Sequence, residues 1–116
     1  MDTVLHPRIP PYLESLFGKY DEPDVLEMET LAAEREFPIV GRLCGSFLEV
    51  MALSVRAGRV FEFGSGFGYS AYWFSRAVGK DGEVICTEGD ADNVALAESF
   101  LRRVGRWSQV TYHCGW

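Results

Sequence analysis

The chain reads as an α/β domain built on a parallel sheet, and three observations point there. The run Arg59-Val-Phe-Glu-Phe-Gly-Ser-Gly-Phe-Gly-Tyr-Ser70 passes from β-forming residues into three alternate glycines and then into a helix. Two more apolar strand patterns follow, residues 83–88 and 108–114, each after a stretch long enough for one helix. Strand, helix, strand, helix, strand gives parallel pairing through right-handed crossovers. The expected product is a three-stranded parallel half-sheet in the order 3-2-1, preceded by helices.

The elements follow in order. In His6-Pro-Arg-Ile-Pro-Pro11 the successive prolines predict an extended lead-in. Residues 12–19 predict a short helix closed by Gly18 and Tyr20. Pro23 suits a first helical turn, so a second helix is expected over residues 22–36, stopped by Pro38. Residues 41–55 form a third, with Leu43, Phe47, Val50 and Met51 on one apolar face that should pack on the sheet. Ala57-Gly58 ends it before the first strand, residues 59–63. Residues 69–78 carry Tyr72, Trp73 and Phe74 in succession and must be buried on several sides. Lys80-Asp-Gly82 makes the next turn. Asp90 is the N-cap of a last helix whose inner stripe is Val94, Ala97, Leu101 and Val104. The chain divides into N-terminal helices, residues 1–57, and a βαβαβ unit, residues 58–116, of one domain.

Composition narrows the function. With 116 residues, 47% hydrophobic and 14% aromatic, the chain is folded rather than disordered. Seventeen acidic against eleven basic residues give a net charge of −6, without the basic stripe that a nucleic-acid partner requires. Arg102, Arg103 and Arg106 form the one basic concentration and read as a solvated helix C-terminus. Cys44, Cys86 and Cys114 have no C-x-x-C spacing and read as buried thiols of a reducing compartment. His6 and His113 stand apart, so no metal site is expected in this chain. No apolar segment approaches the roughly 20 residues of a membrane span, which excludes a membrane partner and suggests a cytoplasmic location.

The glycine turn carries the chemistry. Gly64, Gly66 and Gly68 remove the Cβ atoms that would keep a ligand off the backbone and permit positive φ. The amides that follow face an anion at the N-terminus of the next helix. G-x-G-x-G lacks the later glycine of the dinucleotide fingerprint, and no Gly-Lys-Ser/Thr follows, which disfavours pyrophosphate and triphosphate. The second strand ends in Glu88, followed by Gly89, where an acid can accept hydrogen bonds from both hydroxyls of a ribose. Together these suggest an adenosine cofactor with a carboxylate and no phosphate, a description that S-adenosylmethionine fits. The plain alternatives are a tight turn without a ligand, a solvated strand end at Glu88, and core roles for Tyr69 and Trp73 rather than places in a substrate cleft.

From residue 37 to residue 116 the chain resembles the class I S-adenosylmethionine-dependent O-methyltransferases of the catechol and caffeoyl-CoA type. Phe37-Pro-Ile-Val-Gly-Arg-Leu-Cys-Gly-Ser-Phe-Leu48 is similar to the segment before the family's core helix, so Val40 and Gly41 would lie over the methionine part of the cofactor. Glu62-Phe-Gly-Ser-Gly-Phe-Gly-Tyr-Ser70 is similar to the family's E-x-G-x-x-x-G-Y-S turn. The match implies that Gly64, Gly68, Tyr69 and Ser70 belong to the cofactor site, Ser70 touching the methionine carboxylate, while Glu62 supports the turn. Glu88 matches the ribose-binding acid. The resemblance implies a Rossmann-like methyltransferase fold, truncated to its N-terminal half, because the family sheet has seven strands and this sequence has room for three. The family's metal ligands and catalytic base lie beyond them, so no catalytic residue is assigned, and magnesium would enter only with the remaining half.

Two functions follow as expectations. One is methyl transfer to the oxygen of a small hydroxylated acceptor, with positioning as the main catalytic device. The other is a cofactor-binding remnant or assembly partner without turnover. A nicotinamide enzyme is disfavoured by the glycine spacing. The first strand without an outer neighbour would leave Phe61, Phe63 and the aromatic helix exposed, which predicts a homo-oligomer formed through the sheet edge.

Overall fold

The computed structural model describes residues 4–17 and 22–115. The first helix, α1 (Ile9–Ser15), starts earlier than the prolines suggested, with Pro10 and Pro11 inside its first turn. The extended lead-in is thereby corrected: first-turn amides have no intrahelical acceptor, so prolines there lose no hydrogen bond. The expected closure at Gly18 and Tyr20 lies outside the described residues.

Helix α2 (Pro23–Glu34) opens on Pro23 as expected but ends before Pro38 can stop it. Its C-terminus closes on itself, with the Phe37 amide donating to the Ala32 carbonyl (2.8 Å) and the Glu36 amide to Ala33 (3.3 Å). That pairing places Glu36 at φ 50°. Helix α3 (Gly41–Ser54) ends the same way, through the Ala57 amide and the Ala52 carbonyl (2.9 Å).

Strands β1 (Arg59–Glu62), β2 (Glu83–Glu88) and β3 (Val110–Cys114) form one parallel sheet in the order β1-β2-β3, the expected 3-2-1 half-sheet. A 3₁₀ turn, Trp107–Gln109, takes the first residues assigned to the third strand. Helices α4 (Tyr69–Val78) and α5 (Ala91–Arg103) make the crossovers. They share a core with Val60, Val84, Cys86, Val110 and Tyr112, which the register places on one face of the sheet. The opposite face presents Phe61, Ile85 and Thr111, with Phe61 52% exposed.

Helix α3 overturns one expectation. Its buried residues are Gly45 and Ala52, and it packs on α4 rather than on the sheet. A Cβ on Gly45 would lie 2.2 Å from the Trp73 indole nitrogen, so only glycine lets the two helices approach this closely. That small-residue seam turns the larger side chains outward: Phe47, Val50 and Met51 are exposed, Phe47 to 60%. The same packing buries Tyr69, Tyr72 and Trp73, as the apolar succession in this helix implied, and corrects the expectation that the open sheet edge would expose them. Phe61 and Phe63 are exposed as expected, and Phe63 has left the strand.

Helix α5 is capped by Asp90, whose carboxylate accepts from the Asp92 amide (2.8 Å). Ala97 and Leu101 of the expected stripe are fully buried, joined by Phe100, while Val94 and Val104 are partly exposed. The arginines at its end are more than a solvated terminus. Arg103 reaches Asp24 (3.2 Å) and Glu27 (2.9 Å) on α2, tying the two helices together. Gln109 is buried and donates to the carbonyls of Ser75 and Gly79 at the end of α4. Of the cysteines only Cys86 is buried; Cys44 and Cys114 are exposed because they lie on the open side of α3 and at the end of the edge strand. No helix among the described residues is long and apolar enough to cross a membrane.

Candidate cofactor cleft

The sheet's carboxyl end opens into a cavity of about 210 Å³. One wall is residues 37–40, the link between α2 and α3; the other is the glycine turn, with Glu62, Tyr69, Ser70 and Glu88. A topology that ends β1 and β2 side by side brings these distant segments together. Val40, Glu62, Gly64, Gly66, Tyr69, Ser70 and Glu88 thus line one cleft. Phe37, Pro38, Ile39, Ser65 and Phe67 line it too and were not singled out. Their signal was present for Phe37 to Ile39, in the block preceding Val40.

Gly41, Gly68 and Gly89 do not line this cavity. Gly41 lies on the neighbouring cleft with Glu14, Glu29, Ile39 and Arg42. The three turn glycines all have positive φ, 68°, 56° and 97°, but their surroundings differ. A Cβ on Gly64 would meet nothing within 4 Å. One on Gly66 would lie 2.9 Å from the Phe37 ring, and one on Gly68 would lie 3.2 Å from Ala97 and Leu101. Only Gly64 keeps open space for a ligand; Gly66 makes room for Phe37, and Gly68 for α5.

The turn is also wired differently from the simple anion cradle expected. The Gly64 amide donates to Thr87 Oγ1 (3.0 Å), the Ser65 amide to the Thr87 carbonyl (2.7 Å) and the Gly66 amide to Glu88 Oε2 (2.7 Å). The end of β2 therefore occupies the amides that an anion would have used. Amides of the first turn of α4, at Tyr69 and Ser70, have no intrahelical acceptor and are what remains for one. Glu88 Oε1 accepts in turn from the Asp90 amide (3.0 Å), which holds the carboxylate at both oxygens. Each oxygen retains a second lone pair for a hydroxyl donor.

Glu62 is the second acid of the cleft. Its Oε2 accepts from Ser70 Oγ (2.5 Å), while its Oε1 is buried and finds no donor among the described residues. A buried carboxylate oxygen without a partner costs roughly 1–3 kcal/mol or more until a donor arrives. Two carboxylates in one cleft repel a phosphate and favour a ligand that brings cationic groups and hydroxyls.

The surroundings are inert. Burial raises the Tyr112 phenol well above its ordinary range, and the charges of Glu62 and Glu88 add to the effect. Its hydroxyl donates to the Gly66 carbonyl (3.3 Å). Burial also pushes the Cys86 thiol up to about 12, so it stays protonated beneath the turn. No group of three His, Cys, Asp or Glu able to hold a metal occurs among the described residues.

Comparison with known proteins places the chain among related sequences. A family model described as O-methyltransferase matches residues 20–115. The chain is 31% identical over 117 residues to a catechol O-methyltransferase of Niastella koreensis, spanning 99% of this chain and 52% of that protein. A methyltransferase structure from Geobacter sulfurreducens superimposes with a TM-score of 0.89 at 33% identity, over 97% of this chain and 59% of that one. An O-methyltransferase from Streptomyces achromogenes involved in tomaymycin synthesis, solved in complex with SAM, gives 0.82 at 28% identity, over 90% of this chain and 48% of that one. The chain spans about half the length of these relatives.

Proposed function

The chain belongs to the O-methyltransferase family, and from that premise we propose that its cleft binds S-adenosylmethionine for methyl transfer to the oxygen of a small hydroxylated acceptor. The carrying observation is the acid pair: Glu88, fixed by two main-chain amides, and Glu62, with a buried oxygen lacking a donor. In this reading Glu88 accepts from the ribose hydroxyls and Glu62 Oε1 from the ammonium. With the Ser70 hydroxyl committed to Glu62, the first-turn amides of α4 at Tyr69 and Ser70 face the methionine carboxylate, and Val40 covers the methionine chain. The bound cofactor supplies an electrophilic methyl group on a sulfonium. The chain's own part is to orient that group and exclude water. The link 37–40, from the N-terminal helices, contributes one wall, and the glycine turn with Glu62, Tyr69, Ser70 and Glu88, from the βαβαβ unit, the other.

A second reading rests on the apolar surface. Phe61 on β1 and Phe63 just beyond it are exposed, and β1 has no outer neighbour among the described residues; an unpaired edge of this kind invites another chain. We infer that isolated copies associate there and bind the cofactor without turnover. Isothermal titration of the 116-residue chain with S-adenosylmethionine and S-adenosylhomocysteine tests the cleft. Saturable binding of both, weakened in Glu62→Gln, is expected. Absence of binding alongside a folded circular-dichroism spectrum would refute it.

A further inference from the structure

We propose that Glu29 is a positioning residue that locks the two walls of the cleft to one another. This rests on the cofactor reading above. Glu29 lies on α2, two turns before the wall formed by residues 37–40. Its Oε1 accepts from the Tyr69 hydroxyl (2.7 Å) and from Arg42 Nε (3.2 Å), and its Oε2 accepts from Arg42 Nη2 (2.6 Å). Arg42 is the second residue of α3, immediately beyond that wall; Tyr69 is the first residue of α4, immediately beyond the glycine turn.

One carboxylate therefore joins the segments on both sides of residues 37–40 and ties them to the end of the turn. The pair is partly buried, with side-chain exposures of 19% for Arg42 and 22% for Glu29, so charge-assisted bonds here are stronger than on an open surface. Tyr69 is buried, and its phenol is raised above its ordinary range by burial and by the adjacent Glu29, which keeps it a donor. Glu29 is not what fastens α2 to the body. Val25, Met28 and Ala32 bury that helix in the core, and Arg103 holds it through Asp24 and Glu27. The separate anchorage leaves Glu29 the task of spacing: Phe37 stands directly over Gly66, so a small drift of α2 against α4 changes the width of the cleft.

The test compares wild type, Glu29→Gln and Tyr69→Phe by hydrogen exchange and by titration with S-adenosylmethionine. Glu29→Gln is expected to speed exchange at residues 37–42 and 64–70, leave β2 and α5 unchanged, and weaken cofactor binding roughly tenfold. Tyr69→Phe keeps the ring in the core and is expected to give a smaller effect at the same residues. Exchange and affinity equal to wild type in Glu29→Gln would overturn the proposal, as would acceleration spread evenly over the chain. If wild type does not bind the cofactor, the cofactor reading fails; the exchange pattern still decides whether Glu29 joins the walls.

Discussion

Replacing Gly64 and Gly68 separately by alanine distinguishes a glycine that faces the ligand from one that faces the core. Both residues have positive φ, 68° and 97°, where an L-residue is strained by roughly 1–2 kcal/mol. At Gly64 that strain is the whole penalty, because the new methyl meets nothing within 4 Å. At Gly68 the methyl also presses Ala97 and Leu101 at 3.2 Å, on the buried seam between α4 and α5, where overpacking adds about 1 kcal/mol or more. Gly68→Ala should therefore lower the melting temperature further than Gly64→Ala, by on the order of 4 °C for each additional kcal/mol. Cofactor affinity should follow the opposite order. The methyl of Gly64→Ala enters the cleft and is expected to cost about tenfold or more in binding, roughly 1.4 kcal/mol, whereas folded Gly68→Ala should bind nearly as wild type. Thermal denaturation and titration below the melting range measure both quantities. If Gly68→Ala lost affinity as severely as Gly64→Ala while melting no lower, the division of roles would be wrong.

Further outcomes are expected from the same geometry. Glu88→Ala should weaken cofactor binding by about 1–3 kcal/mol and also destabilise the turn, since the Gly66 and Asp90 amides lose their acceptor; unchanged affinity in titration would remove Glu88 from the site. Stability should fall at alkaline pH. Tyr69, Tyr72 and Tyr112 are raised above 10.0 and Cys86 from 9.0 to about 12, so the unfolded chain releases protons first and unfolding gains from about pH 9 upward. Urea titrations at pH 8 and pH 10.5 that gave equal stability would contradict this. Phe63→Ser, at an 83% exposed position outside the core, should reduce self-association in sedimentation without lowering the melting temperature; an unaltered distribution of species would place the interface elsewhere.

The strands, the crossovers and the glycine turn were legible because their signals are local. Short β-forming runs and closely spaced glycines fix a strand-turn-helix unit without reference to the rest of the chain. Helix α3 was not, because it has apolar residues on more than one side, and a hydrophobic period does not say which side finds a partner. Gly45 and Ala52 decided it by allowing close approach to Trp73. The amide pairing of the turn was equally hidden, since it depends on Thr87 and Glu88 from the next strand. Glu29 gave no signal at all: its role arises from Tyr69, 40 residues away, and Arg42, 13 away. Pro10 and Pro11 misled for a simpler reason, since a first turn and an extended segment tolerate proline alike.

The glycine turn leans on β2 through bonds that reach 22 and 23 residues along the chain. It therefore cannot take its shape from its own sequence. During synthesis the segment around Gly64 stays an open, glycine-rich loop until the following helix and strand have emerged and docked, and closing that span carries the entropy of a long loop. Shape, acid placement and ligand recognition then arrive in one step, when Thr87 and Glu88 reach the turn. A nascent chain stopped before β2 would hold the glycines and no binding site.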